Sequence, residues 1–150
     1  MNTTAAIRAY NTVGVESVAA AADPHKLICL LYQGALLAIA NAKNGVLKND
    51  IPAKGKAINH AILIIGDGLN ASLNKDVGGE LAHSLSALYD YMITRLLFAN
   101  LNNDVAALDE VTRLLGELKA GWDGIRQTTV VNSMPPPQTN APDRRLYARG

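Results

Sequence analysis

Residues 87–105 read ALYDYMITRLLFANLNNDV. A helix is the natural conformation: no glycine or proline interrupts the run, and the Asn-Asn-Asp at 102–104 ends it. A helix in a soluble bundle needs one apolar stripe, yet leucine, tyrosine, methionine, isoleucine and phenylalanine here occupy nearly every angle. At about 100° per residue, Leu81, Leu85, Leu88, Met92, Leu96 and Ala99 share one stripe, the expected core face. His83, Ser86, Asp90 and Thr94 form a polar arc on the far side. Leu97 falls inside that arc and Ile93 at its edge, while Tyr91 and Phe98 sit together on another flank. Tyr89 and Tyr91 are about 200° apart by the same rule, so they cannot enter one core together. Tyr89 is the expected packing residue and Tyr91 the expected contact residue.

Working outward, three more segments have helical periodicity. Asp23-Pro24 is an N-cap followed by a proline at the first helical position, and it opens a helix expected to reach about Leu47. Ile28, Tyr32, Ala35, Ile39, Ala42 and Val46 form its stripe, and Leu27, Leu30, Leu31 and Leu37 fill most of the remaining circumference. The next helix is expected from Ile51-Pro52 to about Leu73, with Ile58, Ile62, Ile65 and Leu69 inward. Asp76 is the expected cap of the third helix, which is read from Gly79 to Leu101. The same Asn102–Asp104 stretch caps a fourth, whose stripe is Val105, Leu108, Val111, Leu115, Leu118, Trp122 and Ile125. Connections this short set neighbours antiparallel, so the expected fold is all-α, an up-down four-helix bundle over residues 23–127.

Two ends flank it. Residues 1–22 form an arm in which Ile7 and Tyr10, three apart, share a face before an alanine-rich connector. Residues 128–150 contain a triple proline, Pro142 and three arginines, a composition read as a disordered tail.

Composition narrows the function. The chain of 150 residues is 49% hydrophobic and 18% charged, with a net charge of +1 and a mean hydropathy of +0.07. Near-neutrality argues against nucleic acid, which demands a clustered basic surface. The apolar run of residues 27–42 contains Gln33 and Asn41 and is shorter than a membrane-spanning helix requires, so a core helix is expected rather than membrane insertion. Cys29 is the single cysteine, read as an inert buried thiol in a reducing cytoplasm.

No cofactor or metal is implied. Glu80 and His83 make one E-x-x-H, but a di-metal bundle site needs two such motifs and two further glutamates. The glycines around Asp67 and at 78–79 lack the strand-to-helix setting of a phosphate loop. No nucleophile–base pair is recognisable, and the chain is read as no enzyme.

The second helix repeats the surplus of the third, with Leu63 and Ile64 flanking His60 and Asp67. Singly exposed aliphatic residues are ordinary. Two neighbouring helices with the same excess favour a long apolar groove, of the kind that marks a partner site. The alternative is a structural homo-oligomer whose apolar face pairs with its own copy.

Three segments, PHKLICLLYQGAL at 24–36, LYDYMITRLLFAN at 88–100 and LLGELKAGW at 114–122, together with Tyr10 upstream, closely resemble the flagellin-specific export chaperone family, FliS. The resemblance covers about residues 5–127. It implies a cytoplasmic bundle that holds the disordered C-terminal segment of flagellin in apolar grooves, prevents early polymerisation and delivers its client to the flagellar type III export gate. In that family an N-terminal tyrosine segment lies over the client surface, a role that falls by position to Ile7 and Tyr10. The expected partner-binding residues are therefore Ile7, Tyr10, Leu63, Ile64, Tyr91, Ile93, Leu97 and Phe98. The family's usual hydroxyl-bearing residues before the first proline are replaced here by Ala21-Ala22-Asp23.

Overall fold

A computed structural model describes residues 23–133, with side-chain surroundings for 23–125. Four helices follow one another: α1 (Pro24–Leu47), α2 (Ile51–Leu63) continuing as a π-helical segment (Ile64–Asn70), α3 (Lys75–Asn102) and α4 (Val105–Ser133). The arm of residues 1–22, with Ile7 and Tyr10, and residues 134–150 of the tail lie outside the described residues.

Each helix start satisfies one of its orphan amides with a side chain. Asp23 Oδ1 accepts from Lys26 N at 3.2 Å, and Pro24 takes the first helical position. Asp50 Oδ1 accepts from Ala53 N at 3.2 Å, and Asp104 Oδ1 from Ala107 N at 3.2 Å. The third cap differs from expectation: Asn74, not Asp76, accepts from Val77 N, at 3.1 Å. Asp76 stands in the first turn instead, where a carboxylate favours the positive end of the helix dipole. Asn103 adopts a left-handed φ of 52° and closes α3, as asparagine can.

The helices form a ring in which α1 packs on α2 and α4, and α3 packs on the π segment and α4. Across the diagonal, the hydroxyls of Tyr32 and Tyr89 share a buried hydrogen bond of 2.6 Å. Burial pushes the pKa of both phenols up, and the neighbouring phenol adds to the rise at Tyr89. Around them lie the fully buried Leu27, Leu31, Ile39, Ile58, Ile65, Met92, Leu96, Leu108, Val111 and Leu115. By length and composition α1 could cross a membrane, but half of its most apolar window is buried inside the bundle, so it serves as a core wall.

Two close approaches fix the α1–α2 hairpin. A β-carbon at Gly45 would meet Lys54 N at 2.8 Å and Lys54 Cα at 2.9 Å, so only glycine fits there. Lys54 itself is buried, and its ammonium donates to Asn100 O at 2.8 Å and Asn103 Oδ1 at 2.7 Å. It thereby holds the carbonyl end of α3 against the start of α2.

The helix boundaries and stripes need further corrections beside the cap. Gly79 has φ 57° and ψ −132°, a conformation open to glycine. The break sets the first turn of α3 apart and leaves Leu81 68% exposed rather than in the core. Ser86, expected in the polar arc, is buried and donates to Asn70 Oδ1 at 2.8 Å. Ile125, at the end of its stripe, is 56% exposed. Finally, α4 continues to Ser133, beyond the expected boundary at 127. Nothing from Thr128 to Ser133 breaks a helix, whereas the proline run from 135 disfavours helical geometry just before it.

Candidate functional site

The side chains that α3 turns inward are Ala82, Ser86, Tyr89, Met92, Leu96 and Ala99. This stripe is centred nearer Tyr89 than Leu88, and Leu88 is only partly buried against the core. The outer face keeps Tyr91 44%, Leu97 54%, Phe98 42% and Leu101 84% exposed. Three large side chains expected to face a partner therefore stand on one exposed face, and Leu101 joins them.

On its α4 edge this face is ordered by charge. Tyr91 OH donates to Glu110 Oε2 at 2.5 Å, and Arg95 Nε donates to Glu110 Oε1 at 2.8 Å. The Arg95 guanidinium lies over the Phe98 ring at 4.9 Å from its centroid, a cation–π contact. Hydrogen bonds from Tyr91 and then Arg95 hold the Glu110 carboxyl below its ordinary pKa, and the bond to Glu110 raises that of Tyr91. The two aromatic rings are thus presented in fixed positions rather than as loose side chains.

On the α2 edge one residue expected at the surface is there and two are not. Leu63 is 37% exposed. Ile64, expected at the surface, is fully buried. The buried stripe of α2 is centred between Ile58 and Ala61, and the i→i+5 winding that begins at Ile64 turns that side chain inward. Ile93, also expected at the surface, packs against the core. Its Cδ1 lies 3.5 Å from where a β-carbon at Gly66 would stand, so the missing side chain of Gly66 makes room for it. Asn70 Nδ2 donates to Asp90 Oδ1 at 3.2 Å along the same seam.

Some surface features were not anticipated. Val77 (84% exposed) and Leu81 near the start of α3, and Ile125 on α4, add apolar surface at the opposite end from Leu101. Leu101 and Val77 could have been suspected from their places beside the NND and GG breaks, where a helix face runs out of neighbours. At the α1–α4 seam, His25 stacks on Trp122 with ring centroids 4.6 Å apart. His25 Nε2 donates to Trp122 O at 2.9 Å and Trp122 Nε1 donates to His25 O at 3.1 Å. Cys29, half-buried rather than fully so, donates to Asp123 Oδ1 at 3.0 Å, and Lys119 and then Cys29 hold the Asp123 carboxyl below its ordinary pKa. These contacts fasten α1 to α4. The E-x-x-H residues Glu80 and His83 are both exposed, and among the described residues no group of three His, Cys, Asp or Glu could hold a metal ion.

Comparison with known proteins places this geometry. The family model described as "Flagellar protein FliS" matches residues 6–129. The flagellar secretion chaperone FliSB of Pseudomonas aeruginosa is 49% identical over 120 residues, which span 80% of this chain and 94% of that protein. The flagellar secretion chaperone FliS of Salmonella typhimurium is 47% identical over 125 residues, 83% of this chain and 93% of the relative. Its Escherichia coli counterpart is 40% identical over 115 residues, 77% and 85% respectively.

Proposed function

We propose a function from one premise: this chain belongs to the FliS family of flagellar secretion chaperones, a family of chaperones and not of enzymes. The chain binds the disordered C-terminal segment of flagellin in the cytoplasm. The segment lies on the outer face of α3 and its two seams, against Tyr91, Leu97 and Phe98, with Leu63 at the α2 edge. So bound, it cannot pair with other flagellin subunits, and the complex is delivered to the flagellar type III export apparatus.

One observation carries this reading. Helix α3 satisfies the core with one stripe and still exposes Tyr91, Leu97, Phe98 and Leu101. A segment that folds as it binds loses conformational entropy, and burial of apolar surface is what offsets that loss. Laying an amphipathic helix in an apolar groove is the recognition mode such a face suits. The arm of residues 1–22 would compete for the same face through Ile7 and Tyr10, since tethering gives it an effective concentration up to about the millimolar range.

Size-exclusion chromatography with light scattering tests the reading against the self-associating alternative. A monomer that forms a 1:1 complex with a flagellin C-terminal fragment supports the chaperone. A stable homo-oligomer indifferent to the fragment contradicts it. Deleting residues 1–10 should raise self-association of the free protein and alter its affinity for the fragment; no change in either would remove the arm from the account.

A further inference from the structure

We propose that the groove between α1 and α2 is a second docking surface, and that its occupant is an acidic amphipathic helix of a partner protein. The groove is lined by Asn41, Ala53, Lys56, Ala57 and His60 and encloses about 380 Å³, room for a few side chains dipping from a helix laid across it. Leu37, 62% exposed, stands one turn before Asn41 on the same helix and extends the apolar surface along α1 beyond the groove. The floor is preformed, because the Gly45–Lys54 approach leaves the two helices no slack at that end.

Charge decides the occupant. Between residues 36 and 63 the ionisable side chains are Lys43, Lys48, Lys54, Lys56, His60 and the carboxylate Asp50. Lys43 pairs with Asp109 at 3.0 Å, Lys54 is engaged with the end of α3, and Asp50 caps Ala53 N. Lys48 and Lys56 are exposed and form no salt bridge among the described residues. Lys56 in the groove wall and Lys48 at the C-cap of α1 make this end of the hairpin cationic, while the excess of carboxylates lies on α3 and α4. Glutamates on a partner helix complement Lys48 and Lys56, and its leucines cover Leu37, Ala53 and Ala57. The flagellin reading concerns the α3 face, so this surface stands apart from it.

The test uses the full chain, amide NMR and two capped helical probe peptides of leucine and alanine, one with glutamate at every fourth position and one with lysine. The acidic peptide should shift Asn41, Ala53 and Ala57, and the lysine peptide should not. The double variant Lys48→Glu/Lys56→Glu should weaken the acidic peptide by at least roughly fivefold and admit the lysine peptide. Both side chains are exposed, so the fold should persist; Lys56→Gln, with a smaller loss, provides a second reading. The double variant should keep its affinity for the flagellin fragment, because that contact lies elsewhere. Equal binding of the two peptides, shifts confined to α3, or binding to anionic vesicles in preference to the acidic peptide would each overturn the proposal.

Discussion

The two tyrosines of Tyr89-Asp90-Tyr91, two residues apart, have opposite surroundings. Tyr89 is 2% exposed and shares its hydroxyl bond with Tyr32, whereas Tyr91 is at the surface and bonds Glu110. Tyr89→Phe leaves the Tyr32 hydroxyl buried without its partner, a cost of about 1–3 kcal/mol. Tyr91→Phe should change stability by no more than about 0.5 kcal/mol. Adding Tyr32→Phe to Tyr89→Phe should recover part of the loss, since no orphaned hydroxyl remains; urea denaturation of the three variants checks this. The pH dependence follows from the raised pKa of the buried pair. Folded phenols that hold their protons above the ordinary value of 10.0 contribute stability that is complete below pH 10 and lost as pH rises through their folded pKa. In an ultraviolet titration, Tyr32 and Tyr89 should ionise only with alkaline unfolding, after the exposed Tyr91 has begun to titrate. Ionisation of all the tyrosines in one early step, with the fold intact, would refute the buried pairing.

Among the elements, the helices with strong caps and uninterrupted stripes were legible from sequence, and α1 matches its expected bounds. Two of the errors arose where the winding departs from a regular α-helix. Periodicity assumes one rotation per residue, and the π segment at Ile64–Asn70 departs from it, which is why Ile64 is inside. The break at Gly79 similarly removes Leu81 from the core. No local pattern reports that Gly45 meets the Lys54 backbone, because that contact joins two helices. The glycines can be sorted by substitution. Gly45→Ala should destabilise by about 1–3 kcal/mol, as overpacking against backbone cannot relax through a side chain. Gly121→Ala, in α4 with nothing within 4 Å of the added carbon, should stabilise by about 0.4–1 kcal/mol. Thermal melts of the two variants should therefore shift in opposite directions, and a stabilised Gly45→Ala would contradict the close approach.

At the scale of the whole molecule, the fold class and much of the α3 face were visible in the sequence because a surplus of apolar residues is a compositional fact. The wheel placed Tyr91, Leu97 and Phe98 outside the core, where the structure has them. It could not show that Arg95 and Glu110 lock the two rings in place, since Glu110 comes from another helix. The central claim is that this outer face, and not the core beneath it, holds the flagellin segment. Titration calorimetry with a flagellin C-terminal fragment tests it most directly, comparing the parent chain with Leu97→Asp and Phe98→Asp and with Leu37→Asp on α1 as the control, each first checked by thermal melting. A carboxylate at an exposed site should barely alter the melt, yet when a client buries it without a partner the cost is on the order of several kcal/mol, a loss of roughly tenfold or more in affinity. The account predicts that loss for Leu97→Asp and Phe98→Asp with the fold intact, and near-parent affinity for Leu37→Asp. Parent-like affinity in both α3 variants, or losses that only follow unfolding, would contradict it.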